Sequence, residues 1–246
     1  MRRTVCLSVA LLVSIVVTSR ASAPQASDDL VKKLSAPMHA VAVLLVREQW
    51  DPRLDDLVQR APSAAPLGPR WTPALPAWQR ARSGITSREE AVLAAYAKSS
   101  ELSETLRSSL DKYFPAADAT ALAALLNGPG GPAIIRYQAS SEFAVTSMGA
   151  DPMGPKPGDP KWLELLKSLR QRFNERVGPA VPADDPAHQN DVITFISTPA
   201  ASKFQQLWMS VVGKAKITLD TGMNLMVFDN REAIVKEIAA AVATVK

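Results

Sequence analysis

Apolar residues recur every three or four positions along most of this chain, which is the spacing of one buried helix face. Over residues 24–60 the pattern predicts a short helix capped by Ser27, then a helix opened by Ser35 and Pro37 that runs towards Trp50. Further helical turns are expected over 53–60. Together these elements form an N-terminal helical segment.

Five prolines lie between positions 61 and 78 and exclude a regular helix there, because proline lacks the backbone donor and clashes with the preceding turn. We refer to residues 61–86 as the connecting segment. A long amphipathic helix is expected to follow, opened by a capping box of Ser87 and Glu90 and ending near Tyr113. Its predicted buried stripe contains Val92, Tyr96, Leu102, Leu106 and Leu110. A shorter helix over about 117–127, a bend at Gly128-Pro129 and a helix through Thr146 complete a first helical module, residues 87–147.

A stretch rich in proline and glycine, residues 148–159, separates this module from a second one, residues 160–246. Asp159 and Pro160 are typical of an N-cap and a first helical residue, and the helix is expected to stop at Gly178-Pro179. Its apolar face contains Trp162, Leu166, Leu169, Phe173 and Val177. A short helix over about 190–197 and a long helix from Pro199 come next.

The last part of the chain contains one ambiguous stretch and one further helix start. Residues 216–228 combine β-branched residues with Asp-Thr-Gly and are compatible with a hairpin or a helix. We favour a helix, because an isolated two-stranded hairpin is only marginally stable and no other strands are predicted. Asp229, with Glu232 as its capping-box partner, is expected to open the final helix.

The two bends repeat at an offset of 70 residues, which aligns Pro129 with Pro199. The aligned apolar pairs are Leu122/Val192, Leu125/Phe195, Leu126/Ile196, Ile134/Phe204 and Tyr137/Leu207. In each copy a short apolar helix ends, a residue able to cap follows (Gly128 or Thr198), proline opens the next helix, and a small residue (Gly131 or Ala201) lies in its first turn. The predicted fold is therefore an all-α helical bundle built from two related three-helix modules, each with a helix corner opened by proline.

Around the second corner the sequence resembles a family of exported, all-helical bacterial proteins classed as a domain of unknown function. The family motif runs Phe, an aromatic or apolar residue, any residue, Ser or Thr, Pro, any residue, Gly, any residue and Lys. The residues that fit are Phe195, Ile196, Thr198, Pro199 and Lys203, whereas Ala201 replaces the usual glycine. The first corner keeps Gly128, Pro129 and Gly131 but lacks the aromatic residue and the lysine. The resemblance covers about residues 90–245 and implies an exported all-helical fold, and it brings no catalytic residues to carry over.

The N-terminal 23 residues are typical of a cleaved signal peptide: Arg2 and Arg3, an apolar core over 5–17, and a small-residue cleavage site. The apolar run is shorter than the roughly 20 residues that span a bilayer, so a retained membrane anchor is less favoured. The predicted mature protein is periplasmic or secreted, has no transmembrane segment, and loses Cys6, the chain's one cysteine. It therefore has no disulfide or thiolate metal site.

Signal removal takes three of the 28 basic residues and none of the 24 acidic ones, which lowers the net charge from +4 to +1. The basic composition is thus no argument for a nucleic-acid partner. The connecting segment nevertheless concentrates arginine and tryptophan without any acid from 60 to 88. Arginine and tryptophan dominate many interfaces. Our candidate residues for binding an anionic partner are therefore Arg70, Trp71, Trp78, Arg80 and Arg82. The alternative, which we favour, is a connector whose tryptophans pack on the helices while its arginines face solvent.

Candidate chemistry is sparse. One short stretch carries four groups that bind divalent cations: Asp184, Asp185, His188 and Asp191. Their spacing matches no known metal motif. We therefore favour a polar loop in which Asp185 or Asn190 caps the helix that begins near 190. His39 lies among apolar residues and is expected in the core or at its rim. No G-x-S-x-G elbow and no phosphate-binding loop occurs. We expect no metal and no cofactor.

Three functions remain compatible with the sequence. The first is binding of a protein or envelope partner through helix faces, through the connecting segment, or through Lys203, Trp208 and Met209. The second is transport of a small apolar ligand held between the two modules, where the bends leave space. The third, less favoured, is hydrolysis by a serine with His39 or His188.

Overall fold

The computed structural model describes residues 23–149 and 159–245 of the chain, and every regular element in those ranges is helical. The fold is all-α, as predicted. The signal-peptide prediction and most of the predicted 148–159 separator lie outside the described residues. The longer helices are α1 (Ala23–Gln59), α2 (Pro76–Lys98), α3 (Glu101–Tyr113), α4 (Ala116–Asn127), α5 (Gly131–Gly149), α6 (Pro160–Arg176), α7 (Gln189–Ile196), α8 (Pro199–Asp229) and α9 (Arg231–Val242). Two 3₁₀ helices span Pro62–Arg70 and Pro186–His188.

Helices α1 and α8 form the centre of the bundle. Helix α1 packs against α2, α3, α4, α5 and α8, while α9 packs against α2 and the first 3₁₀ helix. The buried apolar side chains form one continuous core that extends from Leu30 in α1 to Ile238 in α9. Because α1 contacts helices from both predicted modules, the modules are not separate packing units in this structure.

Helix α1 corrects the prediction of several short helices over 24–60. It runs unbroken through Pro37 and Pro52, and the Ser35 hydroxyl donates to the Val31 carbonyl at 2.6 Å, inside the helix, instead of opening a new one. Each proline removes one helical hydrogen bond. The apolar face on both sides of Pro37, including fully buried Leu34 and Met38, packs on the other helices, and this burial offsets the local cost.

The connecting segment is shorter and more regular than expected. Residues 62–70 form a 3₁₀ helix with a sharp change of direction at Gly68, whose φ of 52° lies in the region that favours glycine. Helix α2 then begins at Pro76, so the capping box predicted at Ser87 is wrong. The Ser87 hydroxyl donates to the Ser83 carbonyl at 3.0 Å in mid-helix, which is the usual behaviour of serine inside a helix.

The predicted helix from 87 to 113 is interrupted at Ser99-Ser100. Ser99 leaves the helical conformation, and its hydroxyl donates to the Tyr96 carbonyl at 2.8 Å, which ends α2. The buried stripe is confirmed for Tyr96, Leu102, Leu106 and Leu110, whereas Val92 is only half-buried.

The second half follows the sequence prediction more closely. Asp159 accepts a hydrogen bond from the Lys161 amide at 2.9 Å and Pro160 opens α6, as expected. Gly178, with φ of 68°, follows the end of that helix. The ambiguous residues 216–228 are helical within α8. The start predicted at Asp229 is wrong, because Asp229 ends α8 and Asn230 occupies the turn before α9, where its side chain donates back to the Met226 carbonyl at 2.8 Å.

Candidate functional site

The two helix corners face each other across one cleft. The first corner joins α4 to α5 around Gly128-Pro129, and the second joins α7 to α8 around Thr198-Pro199. Both corners line a cleft of about 530 Å³, which we call the corner cleft. Residues that are far apart in sequence therefore meet at one surface. Four motif residues of the second corner line it, namely Phe195, Thr198, Pro199 and Lys203, whereas Ile196 lines a different pocket.

The first corner depends on a close approach of two backbones. The Gly128 amide donates to the Ala124 and Leu125 carbonyls at 3.1 Å each, which closes α4. A Cβ on Gly131 would overlap the Leu126 carbonyl, so only glycine fits where α5 turns away. The expected small residue is thus present and necessary. Pro129 lies in the turn, however, and α5 begins at Gly131 instead of at the proline.

The second corner begins its helix at Pro199, as predicted. Thr198 occupies the N-cap position but gives no side-chain hydrogen bond to α8. Its hydroxyl instead donates to the Phe195 carbonyl at 2.7 Å and so completes the end of α7. Thr198 therefore does not cap α8 with its side chain, because its hydroxyl bonds to the Phe195 carbonyl, which also accepts from the Thr198 amide at 2.9 Å.

The walls of the corner cleft are mainly apolar or small. The large side chains of the wall are those of Phe114, Leu122, Leu125, Ile134 and Phe195. Small residues, the two corner prolines and the threonines at 194 and 198 supply the remainder of the wall, and Lys203 and two aspartates supply the charged groups. Behind this wall Phe204 is fully buried and meets the rings of Phe195 and Trp208 edge-on, with centroids 5.7 and 6.3 Å apart. These contacts fix the position of the second corner relative to the core.

The charged groups of the corner cleft are paired within the protein. Lys203 Nζ lies 2.7 Å from Asp118 Oδ2, and this pair joins the N-terminal part of α8 to the first turn of α4. Asp191 Oδ2 lies 2.7 Å from His188 Nδ1. The same aspartate packs on Gly130, where an added Cβ would lie 2.6 Å from it. The arrangement can bind a ligand, but it aligns no nucleophile with a base.

The aromatic residues of the connecting segment are buried. Trp71 is 1% exposed and Trp78 is 6% exposed. The Trp71 indole donates to the Val58 carbonyl at 2.9 Å, and the Gln59 side chain joins both tryptophans by donating to the Trp71 carbonyl and accepting from the Trp78 indole. The tryptophans pack on the helical body, as the connector interpretation predicts, and they are not available to a partner in this structure.

The arginines of this segment differ in their surroundings. Arg70 is exposed, and Arg80 is exposed with a hydrogen bond to the Thr244 hydroxyl. Arg82 is mostly buried and forms ion pairs with Asp55 at 2.7 Å and Asp51 at 3.1 Å. Only Arg70 and Arg80 therefore present a cation to solvent, and their binding of an anionic partner stays a prediction.

A cluster of charged side chains that sequence reasoning missed joins α1, α2 and α6. Its centre is Glu89, which is 2% exposed and lies 3.7 Å from Arg82 and 3.9 Å from Arg47. Burial, and secondarily the nearby Asp51 charge, raises the pKa of the Glu89 carboxyl. Arg176 of α6 pairs with Asp51 at 2.9 Å and also with Glu48. The cluster holds α6 against α1, which is a structural role.

The remaining candidates occupy separate places. Asp185 accepts from the Ala187 amide at 3.1 Å and caps the short 3₁₀ helix, whereas α7 begins at Gln189 without a side-chain cap, so the prediction that Asp185 or Asn190 caps that helix is wrong. Within the described ranges no group of three or more His, Cys, Asp or Glu side chains is placed to hold a metal ion. His39 stacks on Tyr96, burial lowers its pKa, and no serine hydroxyl of the described chain hydrogen-bonds to either histidine. Trp208 is fully buried, whereas Met209 is 48% exposed.

Asp118 is the cleft residue that the sequence did not reveal. It is 85 positions away from Lys203, and an acid in the first turn of a helix is ordinarily explained by the helix dipole. No local pattern connects the two residues. Only the folding of α4 beside α8 shows that they form a pair.

Comparisons with protein-family models, with curated proteins and with solved structures find no match to this chain. None of the helices in the described ranges is long and apolar enough to cross a membrane.

Proposed function

We propose that this protein is exported and binds a small apolar ligand in the corner cleft. The observation that carries the proposal is that both proline corners, 70 residues apart, line the same cleft of about 530 Å³. This volume is within the range of roughly 300–1,000 Å³ that is usual for small-molecule sites. Periplasmic or secreted localisation, and membership of the exported helical family, are parts of this proposal that rest on the sequence.

The chemistry of the walls supports an apolar ligand. Leu125 of the first corner is 40% exposed although it lines a concave surface, so a ligand there removes apolar area from water. Glycine and alanine at both corners leave space beside the large side chains. Release of water from such a surface is favourable and needs few polar contacts.

A neutral apolar fluorescent probe, N-phenyl-1-naphthylamine, tests the proposal with the intact mature protein. We expect saturable binding with one site per chain. Ala121 is exposed and lines the cleft, so Ala121→Phe fills the space and should weaken binding by at least about tenfold, or roughly 1.4 kcal/mol. Ala94→Phe on the exposed face of α2 is the matched control and should leave binding unchanged.

Two results would contradict this function. One is the absence of saturable probe binding by the folded wild-type protein. The other is equal loss of binding in Ala121→Phe and Ala94→Phe, which would place the probe elsewhere. Native mass spectrometry of protein purified from its own host provides an independent check, because a resident ligand adds mass to the bare chain.

Binding of a protein partner is the second candidate, and a different observation favours it. One face of α8 exposes Ile217 (67%), Leu225 (55%) and Phe228 (77%), which lie close together around the helix axis. A pulldown with crosslinking from the exported fraction should capture a partner that Phe228→Ser no longer binds. Charge reversal of Arg70 and Arg80 tests the connecting segment better than its deletion, because deletion also removes two buried tryptophans.

A further inference from the structure

The corner cleft contains three charged side chains, and each already has a partner. Lys203 pairs with Asp118 at 2.7 Å, and Asp191 hydrogen-bonds to the His188 ring at 2.7 Å. Asp118 and Lys203 are 45% and 44% exposed, so this pair lies where the cleft opens to solvent. The cleft therefore offers apolar walls and a charged pair at one end.

A ligand with a net charge meets a disadvantage in this site. An anionic head group at Lys203 uses one of the remaining donors of the ammonium, but it then lies beside the Asp118 carboxylate, and Asp191 adds a second negative charge to the cleft. A cationic head group competes with Lys203 for Asp118, and Asp191 is occupied by His188 and packed on Gly130. Either ligand places its charge beside a like charge of the pair, and this repulsion offsets the attraction of the opposite charge.

An uncharged polar group meets no such disadvantage. The Lys203 ammonium keeps two donors beyond its bond to Asp118, and the Asp118 carboxylate keeps free lone pairs. The intact pair thus presents donors and acceptors side by side. A hydroxyl or a primary amide, which both donates and accepts, complements it.

We infer that the ligand of the corner cleft is an uncharged amphiphile, with an apolar body between the two corners and a hydroxyl or amide head group at the Lys203–Asp118 pair. The inference rests on the proposed function and specifies its ligand class. Lys203 is the one motif residue of the second corner with a charged side chain. In this interpretation it positions the head group and does not neutralise an opposite charge on the ligand.

Displacement of bound N-phenyl-1-naphthylamine by three ligands of equal chain length tests the inference: decan-1-ol, decanoate and decylammonium. We expect decan-1-ol to displace the probe at a concentration at least about tenfold lower than either ion. Asp118→Asn leaves the Lys203 ammonium unpaired and should shift the preference towards decanoate. Lys203→Met should shift it towards decylammonium. Lys214→Met, on the exposed surface of the same helix, should retain the wild-type order.

The possible outcomes separate the inference from the function on which it rests. If the wild-type protein prefers decanoate or decylammonium, or if the probe binds but decan-1-ol does not displace it, the inference is wrong while the cleft remains a binding site. If the probe does not bind at all, the proposed function fails. The wild-type ranking needs no variant, so it remains decisive even if Asp118→Asn does not fold.

Discussion

The burial of Trp71 leads to a specific prediction about the end of α1. The carbonyl of Val58 would normally accept from the amide four residues later, but that residue is Pro62, which has no N–H. The Trp71 indole supplies the missing donor at 2.9 Å, and its ring is 1% exposed. One side chain therefore both completes the end of the helix and fills the core.

Two substitutions at Trp71 separate these contributions. Trp71→Phe keeps most of the ring but leaves the buried Val58 carbonyl unpaired, which costs about 1–3 kcal/mol. Trp71→Ala also removes the packed ring, so its cost should rise to about 3–5 kcal/mol. Since a folded domain is stabilised by only about 5–15 kcal/mol, the alanine variant should lose much of its stability.

Urea unfolding followed by far-ultraviolet circular dichroism measures both values without depending on tryptophan fluorescence. Arg70→Ala is the matched control, because the neighbouring side chain is exposed and its loss should change stability by no more than about 0.5 kcal/mol. If Trp71→Ala costs less than about 1 kcal/mol, Trp71 does not hold the connecting segment on the body. The tryptophan would then be free for a partner, and the interface interpretation would regain support.

Three further substitutions test the corners and the core. Gly131→Ala should destabilise the protein by about 1–3 kcal/mol, because the added Cβ overlaps the Leu126 carbonyl. Gly213→Ala in α8 should instead stabilise it by about 0.5–1 kcal/mol, because the space around the added Cβ is open. Thermal unfolding measures both changes. Phe204→Ala removes a fully buried ring and should cost about 3–5 kcal/mol in urea unfolding. Burial raises the pKa of the Glu142 carboxyl, so the folded chain binds this proton more tightly than the unfolded chain, and stability is lost as pH rises above the ordinary value of 4.5. Glu142→Gln should therefore raise the free energy of unfolding at pH 7 relative to wild type, and this gain should shrink at pH 4.

Opposite results would identify which step of the reasoning is wrong. Equal effects of Gly131→Ala and Gly213→Ala would mean that the backbones at the first corner can separate without cost. A small effect of Phe204→Ala would mean that the second corner is not fixed by aromatic packing. A gain for Glu142→Gln that does not depend on pH would assign the effect to packing instead of ionisation.

The sequence predicted the elements whose signals are local. Asp159 caps α6 through the Lys161 amide because an N-cap acts within one turn. The helix over 216–228 was predictable because Leu219, Met223 and Met226 recur at helical spacing and are buried. In both cases a short window of sequence contains the whole physical cause.

The predictions that failed depended on contacts from other parts of the chain. Pro37 and Pro52 are strong local signals for helix ends, yet α1 continues through both because its buried face contacts five other helices. Ser87 has the sequence of an N-cap, but α2 begins at Pro76, and a serine hydroxyl is readily satisfied inside a helix. Tertiary packing outweighed these signals, and no short window of sequence reveals it.

The candidate site divides in the same way between what the sequence predicts and what it does not. The corners were recognisable because a residue able to cap, a proline and a small residue recur in one order, but the offset of 70 is not exact in three dimensions. Ile134 and Phe204 are both fully buried, whereas Leu126 is buried and its counterpart Ile196 is 44% exposed. A shift of one residue rotates a helix position by about 100°, which accounts for the difference between α4 and α7 at this pair. The repeat therefore conserves the turn of the chain more closely than the face that each short helix buries. Because the two corners face each other, this difference places Leu125 in the opening of the corner cleft and Phe195 in its wall, and two similar turns form two different sides of one site.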